Sequence, residues 1–133
     1  MLVPVNYFAV IVAAMAAIVI GFIWYNPAVF GKKWASLLGR DTMDLGNPKV
    51  GYVLTVLGAV VMSAALAEVL KFAGATTVPG GWKIAGLVWL GFAASTGLVN
   101  AVVVGKKSEL YLLEQAHHLV TLLVAAMVLV LMG

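Results

Sequence analysis

The chain alternates between long apolar stretches and short polar breaks. No charged residue occurs before Lys32, and four segments, at about 4–25, 50–72, 83–104 and 111–132, are apolar almost throughout. Each is close to the ~20 residues a helix needs to cross a ~30 Å hydrocarbon layer. A backbone in hydrocarbon must satisfy its own hydrogen bonds, and none of the runs alternates with a period of two. The pattern therefore predicts helices and not barrel strands. The breaks carry turn formers: Asn47-Pro48, Pro79-Gly80-Gly81 and Gly105-Lys106-Lys107-Ser108. The second and third are short, so the helices flanking each should be antiparallel neighbours. The expected fold is all-α, an integral membrane four-helix bundle forming one domain over residues 1–133.

The first break has its own pattern, Trp24–Trp34, WYNPAVFGKKW. Trp24 and Tyr25 fall where the first span reaches the membrane interface, the depth that half-polar rings prefer. Asn26 suits a helix cap and Pro27 a first helical position, which predicts a short helix over about 27–39. On that helix Phe30, Trp34, Leu37 and Leu38 share one face, and Lys32, Lys33, Ser36 and Arg40 the other. This is an amphipathic interfacial elbow, with rings dipped into the leaflet and lysines meeting anionic head groups. It serves either as a plain membrane anchor or as a site for a lipid head group or other anion.

Helices in lipid associate by close packing, which small residues permit. Ala9, Ala13, Ala17 and Gly21 recur at four-residue intervals in the first span. Gly51, Thr55, Ala59, Ser63 and Ala67 do so in the second, and Ala93, Gly97, Ala101 and Gly105 in the third. Three such ridges predict a compact bundle.

Composition agrees with lipid as the solvent: 64% of residues are hydrophobic and 10% charged, against about 45–50% and about 25% in soluble domains. A chain this small could not hide that much apolar surface in water. The net charge of +3 is spread along the chain without a basic patch, which argues against nucleic acid. It bears on topology instead. Lys32, Lys33, Arg40, Lys49, Lys106 and Lys107 lie in the first and third connections, and only Lys71 and Lys83 on the opposite side. The positive-inside rule then predicts a multi-pass protein of the plasma (inner) membrane with the first and third connections cytoplasmic and both termini outside. The N-terminal segment lacks the basic region of a cleaved signal and is expected to remain. Without cysteine there is no disulfide, thiolate metal site or thiol nucleophile.

Candidate chemistry concentrates in the fourth span. Glu114, His117, His118 and Thr121 occupy i, i+3, i+4 and i+7 of LYLLEQAHHLVT, one helical face. Ionisable groups at that depth are costly and should face the bundle interior or a wet cavity. They read either as a proton relay or cation site, or as neutral imidazoles bonded to a neighbouring helix with Glu114 reaching the interface. Asn100 falls in the same half of the membrane, within possible reach of His118. Ser63, Ser95 and Thr96 lie near mid-membrane, where hydroxyls mostly bond their own helix. An outer polar layer holds Asn6, placed to cap the first helix or to meet Glu68, and Glu68 with Lys71 three residues on. No metal or cofactor is expected. A di-iron site needs a second Glu-x-x-His motif and more glutamates. A bis-histidine haem needs ligands on facing sides, whereas adjacent helical histidines point about 100° apart. No nucleophile elbow is present, and Asp41 and Asp44 are loop residues.

Asn6-Tyr7, Gly21, Trp24-Tyr25-x-Pro27, Phe30-Gly31 and Trp34, followed by Trp89-x-Gly91-Phe92, Asn100 and His118-Leu119, resemble an uncharacterised bacterial family of small membrane proteins, known as a domain of unknown function. The resemblance runs over nearly the whole chain. It implies a four-helix integral membrane protein, brings no activity, and includes His118 but not Glu114 or His117.

Two functions remain open. One is a non-enzymatic small-solute or ion pathway subunit, proton-coupled in one form, lined by His118, Asn100 and Glu114 and completed by a homo-oligomer. The other is a scaffold or accessory subunit whose ridges and polar face serve helix contacts alone.

Overall fold

The computed structural model describes residues 4–39 and 48–133. Arg40, Asp41, Asp44 and Asn47, which entered the reading of the first connection, lie outside the described residues. The described residues form helices α1 (Tyr7–Trp24), α2 (Gly31–Leu38), α3 (Pro48–Phe72), α4 (Val78–Val88), α5 (Ser95–Val104) and α6 (Ser108–Met132), with no strand among them. A π-helical turn over Trp89–Ala94 joins α4 to α5 in one continuous rod. Four stretches are long and apolar enough to cross a membrane: Tyr7–Trp24, Lys49–Phe72, Val78–Val104 and Ser108–Met132.

The boundaries follow from caps. Asn6 starts α1, its Oδ1 accepting from the Phe8 and Ala9 amides at 3.0 and 3.2 Å. Its amide Nδ2 donates to the Met132 carbonyl at 3.0 Å, which brings the beginning of α1 beside the end of α6. Of the two roles expected for Asn6, the structure shows the cap. The third long helix begins at Val78, ahead of the start expected near Lys83. Thr77 is the reason: its Oγ1 accepts from the Gly80 amide at 3.1 Å. Pro79, read in the sequence as a breaker, lies in the first turn, where a missing N–H costs nothing. At the other end Gly105, at φ 74°, closes α5 in the left-handed conformation that glycine adopts without strain.

The elbow differs from expectation in the same way. Asn26 and Pro27 do not start the short helix, which begins at Gly31. They build a tight loop instead. The Asn26 side chain accepts from the Ala28 amide at 2.9 Å, and its carbonyl from the amides of Val29 and Gly31 at 2.8 and 2.9 Å. Gly31 is folded so closely against this loop that a β-carbon there would overlap the Tyr25 carbonyl oxygen and come within 2.8 Å of the Asn26 carbonyl carbon. On α2, Gly31 and Ala35 are buried, while Lys32, Lys33 and Ser36 are exposed.

Helix α1 packs along both α3 and α6, and α6 also packs along α4. The ridge expected on α1 is the buried one: Ala9, Ala13 and Ala17 are all under 10% exposed. The ridge on α3 is buried only at Ser63 and Ala67, its first half being exposed. Helix α6, for which no ridge was expected, supplies Thr121, Ala125, Ala126 and Leu129. The close-packed core, including Ala13, Leu66, Leu70, Ala85 and Ala126, therefore sits toward the end of the molecule where α1 begins and α6 finishes.

Of the two antiparallel pairs expected from short connections, α4–α5 with α6 is intimate. Trp82 Nε1 donates to the Leu123 carbonyl at 3.0 Å and Trp89 Nε1 to the Gln115 carbonyl at 2.9 Å. The α3–α4 pair meets only sparsely. These two helices diverge away from the core, and the gap between them frames the site.

Candidate functional site

The gap is a cleft of about 430 Å³, within the 300–1,000 Å³ of small-molecule sites. Its floor is α1, through Ala17, Ile18 and Gly21, and α6, through His117, His118, Thr121 and Leu122. Thr55, Gly58, Ala59 and Met62 of α3 form one wall, and Ala93 of the π turn the other. Small residues make the space: at Gly58 a β-carbon would meet nothing within 4 Å.

The π turn has a local cause. Ser95 Oγ donates to the Gly91 carbonyl at 2.6 Å, and Thr96 Oγ1 donates to the Phe92 carbonyl. Such back-bonding hydroxyls weaken the regular helical ladder, and Gly91 adds no side chain to oppose the widening. The extra residue also shifts the buried stripe. Gly81 and Ala85 are buried in α4 at a spacing of four, and continued α-helix would carry the stripe to Ala93. The buried residue is instead Ala94. Tyr111 of α6 secures the turn, its hydroxyl donating to the Ala94 carbonyl at 2.5 Å.

His117 lies at the back of the cleft. A β-carbon on Gly21 would stand 3.7 Å from its Nε2, in ordinary van der Waals contact, so α1 runs close beside the imidazole here. The ring packs among Trp24, Tyr25 and His118, with centroids 5.9, 5.1 and 5.4 Å away. Trp24 in turn stacks on Phe30, and Tyr25 on Trp34, at 4.7 and 4.9 Å. The WYNPAVFGKKW segment thus gathers four rings, from the end of α1, the loop and α2, on the His117 side. Both ring nitrogens of His117 are buried without a hydrogen-bond partner among the described residues, as are Nε1 of Trp24 and of Trp34. An unpaired buried polar group costs about 1–3 kcal/mol, so several in one place call for a partner.

The residues expected to line a polar path are only partly brought together. His117, His118 and Thr121 share the cleft. Thr121 is bonded within its own helix, its Oγ1 donating to the His117 carbonyl at 2.8 Å. Glu114 is instead held by Lys106, Nζ to Oε1 at 2.8 Å. The Glu114 charge also acts on Tyr25: burial first, and this carboxylate second, push the phenol up from 10 to about 12. Asn100 is exposed on α5 and does not bond His118. Ser95 and Thr96 bond their own helix as expected, whereas Ser63 departs from it, fully buried with its Oγ unpartnered. Lys33 of α2 meets Glu109 at 3.7 Å, a pair with both side chains more than 60% exposed that contributes little to stability. Lys32 is exposed, and Pro27 lies in the loop. At the far end Lys71 donates to the Gly133 carbonyl at 3.4 Å, beside Asn6 in a separate cavity of about 150 Å³. Among the described residues no cluster of three metal-ligating side chains occurs.

The sequence reading passed over Gln115, whose Oε1 is buried without a partner among the described residues and whose Nε2 would lie 2.6 Å from a β-carbon on Gly97. It also passed over the π turn, for which the cue was Gly91 followed by Ser95-Thr96 within an apolar run.

Fold and cleft together define an all-helical protein with four helices long and apolar enough to cross a membrane. The chain belongs to the family described as Protein of unknown function (DUF1761), whose profile matches residues 8–130. This agrees with the resemblance, over nearly the whole chain, to an uncharacterised family. No curated protein and no solved structure matches the chain.

Proposed function

We propose that this protein is a membrane-embedded subunit that handles a small solute in the cleft between α3 and the π turn. The observation that carries this reading is a cleft with His117, His118 and Thr121 on its floor, the two ring nitrogens of His117 being buried without a hydrogen-bond partner among the described residues. A helix contact would have paired those nitrogens, as it pairs the indoles of Trp82 and Trp89. An ion path is less well supported than a solute site, because Glu114 is engaged with Lys106 and most of the lining is apolar. The reading includes an orientation with the α2 end cytoplasmic and the termini outside, in the plasma membrane. Lys32, Lys33, Lys49, Lys106 and Lys107 at the α2 end against Lys71 and Lys83 elsewhere support it. It also includes head-group contact through Lys32, Lys33 and Trp34. Assembly of several copies along the exposed first half of α3 would extend that wall while leaving the gap free.

The natural lack of cysteine makes the test direct. In liposomes, a small maleimide modifies Thr121→Cys in the cleft but spares Ala13→Cys in the core. Equal protection of the two would mean that the cleft is not entered and would remove the reading.

A further inference from the structure

Asn100 is exposed on α5, and no hydrogen bond holds its carboxamide among the described residues. Its depth makes this costly. Val102, Val103 and Val104, all exposed, separate it from the Gly105-Lys106-Lys107 connection. The rise of ~1.5 Å per residue sets it roughly 7 Å inside that boundary. Helical side chains lean toward the N-terminus of their own helix. Because α5 runs toward Gly105, the lean carries the amide away from the interface. A lysine at this depth reaches back to water along its stem, and an asparagine is too short to do so.

The π turn gives Asn100 this direction. One extra residue rotates everything after it by about 100°. In an unbroken helix Asn100 would take the direction of Ala101, which is buried where α5 packs on α6. The turn hands that contact to Ala101 and leaves Asn100 outside, with exposed Thr96 and Val103 one turn to either side. The Thr96 hydroxyl proton is already given to the Phe92 carbonyl.

Polar side chains in hydrocarbon face protein and not lipid, because acyl chains offer neither donor nor acceptor. A carboxamide offers both, so it is its own complement. Two copies inserted alike and related by a twofold axis along the membrane normal bring one residue against its twin. A single asparagine in the seam of a helical dimer fixes register in this way. The rod of α4, π turn and α5 has the free surface for it. It packs along α6, meets α3 only sparsely, and is the least buried of the four candidate spans.

Sharing with the solute reading only the membrane setting, we infer that Asn100 is the centre of a parallel α5–α5 contact between two copies of this chain. The contact lies about two turns beyond Ala93, the residue by which the rod lines the cleft. It is also a different surface from the first half of α3.

The test uses the intact chain, naturally free of cysteine, in liposomes over a range of protein-to-lipid ratios. Val103→Cys, on the Asn100 face, is expected to form disulfide dimers on mild oxidation. Val102→Cys, about 160° round the helix from Asn100, is expected to stay single. In the Val103→Cys chain, Asn100→Val raises the ratio needed for half-maximal cross-linking about tenfold. Asn100→Gln, which keeps the amide, restores most of the association, and circular dichroism stays that of the wild type in both. Chains single at every ratio, with the amide left to water and head groups, would overturn the inference. So would equal cross-linking at Val102 and Val103, association indifferent to Asn100→Val, or cross-links confined to Val53→Cys on α3. Labelling of Thr121→Cys reports the cleft alone, so the pairing and the solute site fail separately.

Discussion

Lys106 and Glu114 form an ion pair across the α5–α6 connection, Nζ to Oε1 at 2.8 Å with side chains only 28% and 23% exposed. It ties the connection after α5 to the second turn of α6 and holds the Glu114 carboxylate in place. Shielding of this degree places the pair between surface bridges, at about 0.2–1 kcal/mol, and fully buried ones, where removing one partner costs about 3–5 kcal/mol. Lys106→Met and Glu114→Gln should each destabilise by about 1–2 kcal/mol. A double-mutant cycle from denaturation in detergent should show coupling between them, and additive effects would mean that the two do not interact.

Tyr25 gives the fold a sensitivity to alkali. Its phenol is raised to about 12, first by burial and then by Glu114. Between about 10 and about 12 the unfolded chain has released this proton and the folded chain still holds it, so the unfolded state binds fewer protons and stability falls as pH rises. Below 10 both states hold it and the effect vanishes. Tyr25→Phe should flatten the loss over that window relative to the wild type. Glu114→Gln should lower the Tyr25 midpoint without restoring 10, because burial remains; ultraviolet titration of tyrosinate reads both.

Gly31 and Gly86 separate two roles of glycine. A methyl at Gly31 would collide with the Tyr25 carbonyl and the Asn26 backbone, whereas one at Gly86 meets nothing within 4 Å. Gly31→Ala should cost about 1–3 kcal/mol through forced backbone movement. Gly86→Ala should stabilise by about 0.5–1 kcal/mol through reduced freedom of the unfolded chain. Thermal melts of the two variants should move in opposite directions. If Gly31→Ala melts like the wild type, the loop is not packed as described.

The π turn depends on Tyr111. Tyr111→Phe keeps the ring and removes the hydroxyl that donates to the Ala94 carbonyl, at a cost of about 0.5–1.5 kcal/mol. Amide exchange should quicken over residues 89–96 and leave α1 unchanged. Uniform quickening over all helices would assign Tyr111 a general packing role instead.

The long helices and the α1 ridge were legible in the sequence because length, hydropathy and four-residue spacing act within one segment. Ala9, Ala13 and Ala17 were expected to pack and do so. What failed depended on local caps and back-bonding hydroxyls or on other segments. Pro79 read as a break until the Thr77 cap turned it into a first-turn residue. Asn100 fell at the right depth for His118, but depth does not give direction. One additional residue in the π turn rotates everything after it by about 100°. Glu114 was expected on one face with His117, yet it is held by Lys106 of the connection before α6. The buried nitrogens of His117 could not be read from composition, since they depend on how the rings of Trp24 and Tyr25 pack over the imidazole.

The confinement of the core to one end has a mechanical corollary. Helix α3 is buried at Ser63 and Ala67 and mostly exposed before them, with Tyr52 meeting Phe22 of α1 at 6.2 Å between ring centroids; this first stretch of about 15 residues spans roughly 22 Å. A tilt of about 5° at the buried end swings the tip by about 2 Å. A tilt of that size would widen or narrow the cleft at the wall formed by Thr55, Gly58 and Ala59.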